Sequence, residues 1–279
     1  MDIVLTGIAR SGTTLACALL NRLPQTVALH EPMDPATLVG LDPGTAFLDR
    51  VAAFFAEQRA SLLASGTAVS LARDGRIPDN PFESQPSAAG LRPSTTPGDR
   101  VRFEKGLDPG FRLVIKHPNC FTAMLPVLRT AYPCFALVRN PLAVLLSWHT
   151  IQAPVHEGRL PYGEAFDPEL RDALAAEPDR IGRQLLILAW YFTRYATCLP
   201  ATHVIGYEDL VASRGRALAV IDRDAASLDE PLESRNASPL YDGRVVDELA
   251  SRLLAAGDAC LGPYPRSAVA ALRRAWPAG

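Results

Sequence analysis

Residues able to do chemistry cluster at a few points of this 279-residue chain, the first being Gly7-Ile8-Ala9-Arg10-Ser11-Gly12-Thr13-Thr14. A glycine loop between a strand and a helix turns successive backbone N–H groups toward one point. The helix N-terminus adds partial positive charge, so such a loop holds a phosphate-like dianion. The spacing of Gly7 and Gly12 is that of a triphosphate-binding P-loop, yet Thr13 stands where a lysine should follow the second glycine; Arg10 supplies the positive charge instead. Further on, Arg139-Asn140-Pro141 offers a guanidinium whose planar fork can grip two phosphate oxygens, and Ser147 follows in the same stretch. Glu31, Lys116 and His117 are a carboxylate, an ammonium and an imidazole, groups that exchange protons or offset developing charge.

These residues need elements to position them. Ile3-Val4-Leu5 before Gly7 reads as a short buried strand, Thr13 to Leu23 as a helix with Leu15, Leu19, Leu20 and Leu23 on one face, and Val27 to His30 as a second strand ending at Glu31-Pro32. A helical period returns from Thr45 to Ala64 and then dissolves: residues 74 to 110 carry too many prolines and glycines for a regular element. Phe111 to Lys116 is expected as a strand, Thr122 to Ala131 as a helix, and Cys134 to Val138 as a strand of the continuous apolar kind that is covered on both faces. Asn140-Pro141 supplies a helix start, cap and first position in turn. An acidic, proline-bearing stretch from Ala153 to Pro178 precedes a helix over Ile181 to Leu199; Thr202 to Ile205 is the last clear strand, and Tyr207-Glu208-Asp209-Leu210 enters a helix. Short helices are expected near 216 to 224 and 244 to 256. Strands alternating with helices predict an α/β fold with a parallel sheet covered on both faces and binding groups at the carboxyl ends of its strands. Those ends are Gly7 to Thr14, Glu31, Lys116-His117, Arg139 and Tyr207.

Composition sets the limits. With 48% hydrophobic and 21% charged residues, the chain can bury a sizeable core without disulfides or metal. A net charge of -2 gives no broad attraction to nucleic acid or an anionic membrane, so any polyanion must be met by a local basic site. Five cysteines, at 17, 120, 134, 198 and 260, show no C-x-x-C pair and no metal-type spacing, and are expected to be reduced and buried. The first residues lack the basic start of a signal peptide and no segment is long enough to span a membrane, which leads to the expectation of a cytoplasmic protein.

Arg10-Ser11-Gly12-Thr13-Thr14 resembles the 5'-phosphosulfate loop of the sulfotransferase superfamily, [K/R]-S-G-T-[T/S]. Arg139-Asn140-Pro141 with Ser147 is similar to the R-[D/N]-P-x(5)-S pattern that holds the 3'-phosphate there, and Tyr207-Glu208-Asp209-Leu210 looks like the Y-E-x-L segment whose tyrosine lies near the adenine. The resemblance implies a P-loop NTPase-like three-layer α/β/α fold over residues 1 to 279 as a single domain, with variable substrate loops at about 65 to 110 and 153 to 178. It also implies 3'-phosphoadenosine 5'-phosphosulfate as co-substrate, with Arg10, Ser11, Gly12, Thr13, Thr14, Arg139, Ser147 and Tyr207 binding it and no metal required. The C-terminal basic segment of cytosolic members is not visible; Ser234, Arg235 and Ser238 are candidates for its place.

For sulfuryl transfer the resemblance assigns a base and cations. In the protein-tyrosine sulfotransferase branch, which this N-terminus looks like, a glutamate at the offset of Glu31 is the general base, and a lysine matching Lys116 contacts the leaving phosphate; Arg10 would share that duty. Many cytosolic members use a histidine instead, which makes His117 the rival, although it directly follows Lys116 and alternation along a strand points the two apart. His30, His149, His156 and His203 have no partner spacing and read as core or surface residues. The implied acceptor is a hydroxyl on a small molecule, lipid or sugar. Two other readings share the frame: a P-loop small-molecule or nucleotide kinase, and a non-catalytic nucleotide-binding protein.

Overall fold

A computed structural model describes residues 1 to 88 and 90 to 276. In chain order the strands are β1 (Asp2–Gly7), β2 (Thr26–His30), β3 (Thr67–Leu71), β4 (Gly98–Arg102), β5 (Arg112–Lys116), β6 (Cys134–Val138) and β7 (Val204–Gly206). The α-helices are α1 (Thr13–Leu20), α2 (Thr45–Ser65), α3 (Pro118–Ala123), α4 (Leu125–Leu128), α5 (Pro141–Trp148), α6 (Pro161–Phe166), α7 (Pro168–Ala176), α8 (Arg180–Cys198), α9 (Tyr207–Ala212), α10 (Gly243–Ala255) and α11 (Arg266–Arg273).

Five strands form one parallel sheet in the order β2-β5-β1-β6-β7. Alternation along each strand feeds two cores. Val4, Leu113, Ile115, Ala136 and Val138 face the layer built on α2, α5, α8 and α10, while Ile3, Leu5, Val114, Phe135 and Leu137 face the layer built on α1 and the segment from 210 to 228. The result is the expected three-layer α/β/α arrangement. β1 sits at the centre with β5 on one side and β6 on the other, so the loop after β1 opens at the point where strand order reverses, where such sheets bind ligands.

The structure departs from the pattern reading in identifiable places. β3 and β4 make an antiparallel ribbon that sequence alone does not reveal. The Ser70 hydroxyl of β3 bonds the His30 backbone N–H and carbonyl at 2.9 and 3.3 Å, so the ribbon covers the otherwise open edge of β2. The helix expected over Thr122 to Ala131 is two shorter ones, α3 and α4, with Pro126 in the first turn of the second. The stretch from 153 to 178 holds α6 and α7 rather than irregular chain. Asn140 caps α5 as expected, its side chain accepting the Leu142 N–H at 3.1 Å. All five cysteines are free and buried. Among the described residues no helix is long and apolar enough to cross a membrane.

Candidate active site

Every strand end named above reaches one edge of the sheet. The loop from β1 to α1 is held by the sheet beneath it: the Ile8 N–H and the Ser11 hydroxyl both donate to the Leu137 carbonyl of β6, at 3.0 and 2.8 Å, and the Trp148 indole N–H donates to the Ala9 carbonyl at 2.9 Å. The Ser11 N–H also turns inward, to the Ile8 carbonyl at 2.9 Å. Ser11 therefore shapes the loop and presents neither of its donors to the site. Gly12 has φ +91°, and a Cβ there would lie 2.8 Å from the Tyr207 ring, so glycine is required for both conformation and contact. Arg10 adopts φ +76° and Glu31 φ +46°, two of the four positive-φ non-glycine residues described. Strained backbone held in place by its surroundings gathers at functional sites.

A cavity of about 290 Å³ opens above this loop. Gly12, Thr13 and Thr14 line its floor, with Arg10, Arg92, Arg139 and Arg235 around it, together with Ser147, Tyr207, Ser238 and Tyr241. Arg10 donates to Ser147 Oγ at 3.2 Å and to Asn80 Oδ1 at 3.0 Å and stacks 4.7 Å from the Phe82 ring centre. Arg139, stacked 4.6 Å from the Tyr207 ring centre, donates to the carbonyls of Arg10 and Arg235 at 3.0 and 2.5 Å and to Asn236 Oδ1 at 2.7 Å. Among the described residues none of Arg10, Arg92 and Arg139 is paired with a carboxylate, and Arg235 meets Asp79 only at 3.9 Å. Burial, then the neighbouring charges of Arg92 and Arg139, push Arg10 down to about 9. Buried, mutually repelling cations without acids are what an anion site looks like.

Tyr207 differs from expectation in detail. Arg139 covers one face of its ring, and its hydroxyl accepts the Arg235 N–H at 3.0 Å, so it moors the C-terminal segment over the loop. Glu208 of the same motif does likewise, accepting the N–H of Asn140 and the Asn236 amide at 3.0 and 2.8 Å and the Tyr264 hydroxyl at 2.7 Å. Of the C-terminal candidates, Arg235 and Ser238 reach the cavity, whereas Ser234 accepts the Asn236 N–H. Arg92 was not singled out by any motif; it lies in a proline- and glycine-rich stretch that carries no periodic signal.

A second cavity, of about 180 Å³, shares Arg10, Thr13 and Thr14 with the first and adds Glu31, Lys116 and Asn119. Its walls come from both proline-bearing stretches: Pro81 and Phe82 from one, Ala153, Pro154, Val155, Arg159 and Leu160 from the other. Lys116 Nζ donates to Glu31 Oε1 at 2.7 Å, and the His30 ring reaches the same oxygen from Nε2 at 3.2 Å. Burial raises the Glu31 carboxyl, but the Lys116 charge and the His30 hydrogen bond outweigh it and hold the group well below the usual carboxylate range. His30 thus has a partner that spacing did not suggest. Neighbours in a strand point to opposite faces, but the left-handed φ of Glu31 swings its side chain back beside His30.

His117 belongs elsewhere. Its Nε2 accepts the Met33 N–H at 3.2 Å, its ring packs 5.0 Å from that of Phe121, and burial pushes it down to about 4. It lines an adjoining cavity of about 340 Å³ that shares Glu31, Pro118 and Asn119 with the one that holds Lys116, which His117 itself does not line.

Neither a family model nor a curated protein matches the chain. Among solved structures it is similar to a sulfotransferase from Alicyclobacillus acidocaldarius, at 15% identity over 96% of this chain and 98% of that one, with a TM-score of 0.44. It is also similar to the sulfotransferase domain of the Synechococcus PCC 7002 olefin synthase (14%, 99% and 94%, TM-score 0.34) and to a sulfotransferase from Mycobacterium tuberculosis H37Rv (14%, 99% and 76%, TM-score 0.36).

Proposed function

We propose that the chain is a sulfotransferase that moves a sulfuryl group from 3'-phosphoadenosine 5'-phosphosulfate to a hydroxyl of a small-molecule, lipid or carbohydrate acceptor. The observation that carries this reading is that Arg10, Thr13 and Thr14 line both the arginine-rich cavity and the smaller one with Glu31 and Lys116. A group passed between two ligands must sit where their cavities meet. Three guanidiniums, those of Arg92 and Arg139 buried and that of Arg10 half-buried, with no paired acid among the described residues, suit a nucleotide carrying several negative charges, because an uncompensated buried charge otherwise costs several kcal/mol.

The bound nucleotide would supply a sulfuryl group on a phosphate leaving group. Thr13 and Thr14, in the first turn of α1, would present backbone N–H groups to that phosphate. Ser147, which accepts from Arg10, keeps its own hydrogen to donate, and Arg139 keeps two N–H groups beyond the three it uses. Glu31 is ionised, and among the described residues no hydrogen bond reaches its Oε2, which is the atom to accept the acceptor hydroxyl's proton as that oxygen bonds to sulfur. A carboxylate held so low is a weak base. When Lys116 turns from Glu31 to the departing phosphate oxygen, the carboxylate loses its main stabilising charge and becomes more basic as the proton must move.

Calorimetry with 3'-phosphoadenosine 5'-phosphate and with ATP plus magnesium tests the donor. The first should bind and the second should bind far more weakly; preference for ATP would point to a kinase. Labelled sulfate transferred from the donor to a hydroxyl compound, identified by mass, tests the reaction. Tight nucleotide binding without transfer to any hydroxyl acceptor would make the protein a binder alone.

A further inference from the structure

We propose that Arg92 is a third buried anion ligand of the larger cavity, binding a phosphate of the nucleotide other than the one that bears the transferred group. This rests on the donor reading above. Arg92 is 6% exposed and lines the larger cavity, but it does not line the smaller one where Glu31 and Lys116 sit. Its place is built from the backbone outward: its N–H donates to the Thr150 carbonyl at 3.0 Å and its own carbonyl accepts the Gln152 N–H at 2.9 Å, so the segment is stitched to the chain just past α5.

The side chain makes two bonds, from Nη2 to Thr150 Oγ1 at 2.8 Å and from Nη1 to the Glu83 carbonyl at 3.4 Å. A guanidinium has five N–H donors, so among the described residues three lack a protein partner, and Nε is buried without one there. A residue that only pinned the loop to Thr150 would not need a buried positive charge beside Arg10 and Arg235. An anion resolves both the unpaired donors and the repulsion. The titratable groups that face Arg92 are Arg235 and Tyr241 of the C-terminal segment and Arg10 of the loop, and it shares its cavity with Arg139 and not with Lys116.

Isothermal titration of the full chain with adenosine 3',5'-bisphosphate and with adenosine 5'-monophosphate separates the outcomes. Arg92→Gln should weaken the bisphosphate by about 10- to 100-fold and the monophosphate by less than about threefold, with Arg92→Lys recovering part of the loss. Equal weakening of both nucleotides would show a loop pin and overturn the assignment, as would bisphosphate affinity kept within about twofold. Should Arg92→Gln fail to fold by circular dichroism, Thr150→Val keeps the charge and frees its anchor; it should still lower the bisphosphate-to-monophosphate ratio, and an unchanged ratio would overturn the proposal. Wild-type protein that binds neither nucleotide would overturn the donor reading and this assignment together, whereas wild-type binding with an indifferent Arg92 would overturn this assignment alone.

Discussion

Glu31 Oε1 receives both Lys116 Nζ and His30 Nε2, and that crowding of one oxygen decides what each residue can do. An ionised carboxylate only accepts, so His30 carries its proton on Nε2, and its buried Nδ1 has no partner among the described residues. His30 is then a positioning residue: it holds the carboxylate while Oε2 stays open. Glu31→Gln should lower turnover on the order of a hundred- to ten-thousand-fold in a steady-state assay, the range for loss of a positioned base. The same variant strands Lys116, whose side chain is 2% exposed, and should cost on the order of 1–3 kcal/mol, less than a fully buried pair because a third of the Glu31 side chain meets solvent. His117→Gln should lose far less turnover, since the His117 Nε2 already accepts a backbone N–H and its ring does not line the cavity that holds Lys116. A collapse with His117→Gln and none with Glu31→Gln would reverse the two roles.

At the scale of elements, the loop from β1 to α1 works because Gly12 takes a left-handed φ directly beneath the Tyr207 ring. Gly12→Ala adds about 1–2 kcal/mol of backbone strain and drives a methyl group into that ring, shifting the residue that moors Glu233 and Arg235. Thermal unfolding should fall by roughly 2–8 °C, and calorimetry should show at least about tenfold weaker nucleotide binding. Nucleotide affinity unchanged in the folded variant would mean that the loop does not bear on the phosphates. These elements were legible because each parallel strand is a continuous apolar run ending in an unusual residue: Val27-Ala28-Leu29-His30 before Glu31, Val114-Ile115 before Lys116, Ala136-Leu137-Val138 before Arg139. The β3–β4 ribbon was not, because Gly98-Asp-Arg-Val-Arg102 holds one apolar residue and β4 is exposed at every position but Val101. Arg92 was hidden for another reason. Its burial depends on Thr150, 58 positions away, and no local pattern encodes a contact of that range. His30 escaped notice because only the reversed φ of Glu31 lets adjacent strand residues touch.

For the whole molecule, a net charge of -2 says little about polyanion binding, because four arginines converge on one cavity at the sheet edge, Arg92 and Arg139 among them sheltered from solvent. That sheltering has a consequence for acid stability. Burial lowers His30, His149 and His117 below the ordinary value, His117 to about 4, so each stays neutral in the folded protein where it would charge when unfolded. Between about pH 6.5 and 4 the unfolded chain therefore binds more protons, and stability falls as pH falls. Glu31, Glu164 and Asp167 act in the same direction at lower pH: burial opposes their ionisation, but Lys116 for the first, the Arg159 hydrogen bond for the second and the Trp190 hydrogen bond for the third hold each below its ordinary value, so their contribution is lost as they take up protons. Unfolding temperature should thus drop steadily from pH 7 to pH 4.5. His117→Gln should flatten that slope by removing a contribution on the order of 3 kcal/mol at its limit, even if it lowers stability at neutral pH through the lost Met33 contact. A slope identical to wild type would mean that His117 titrates near its ordinary value in the folded protein, and would reopen its candidacy as the base.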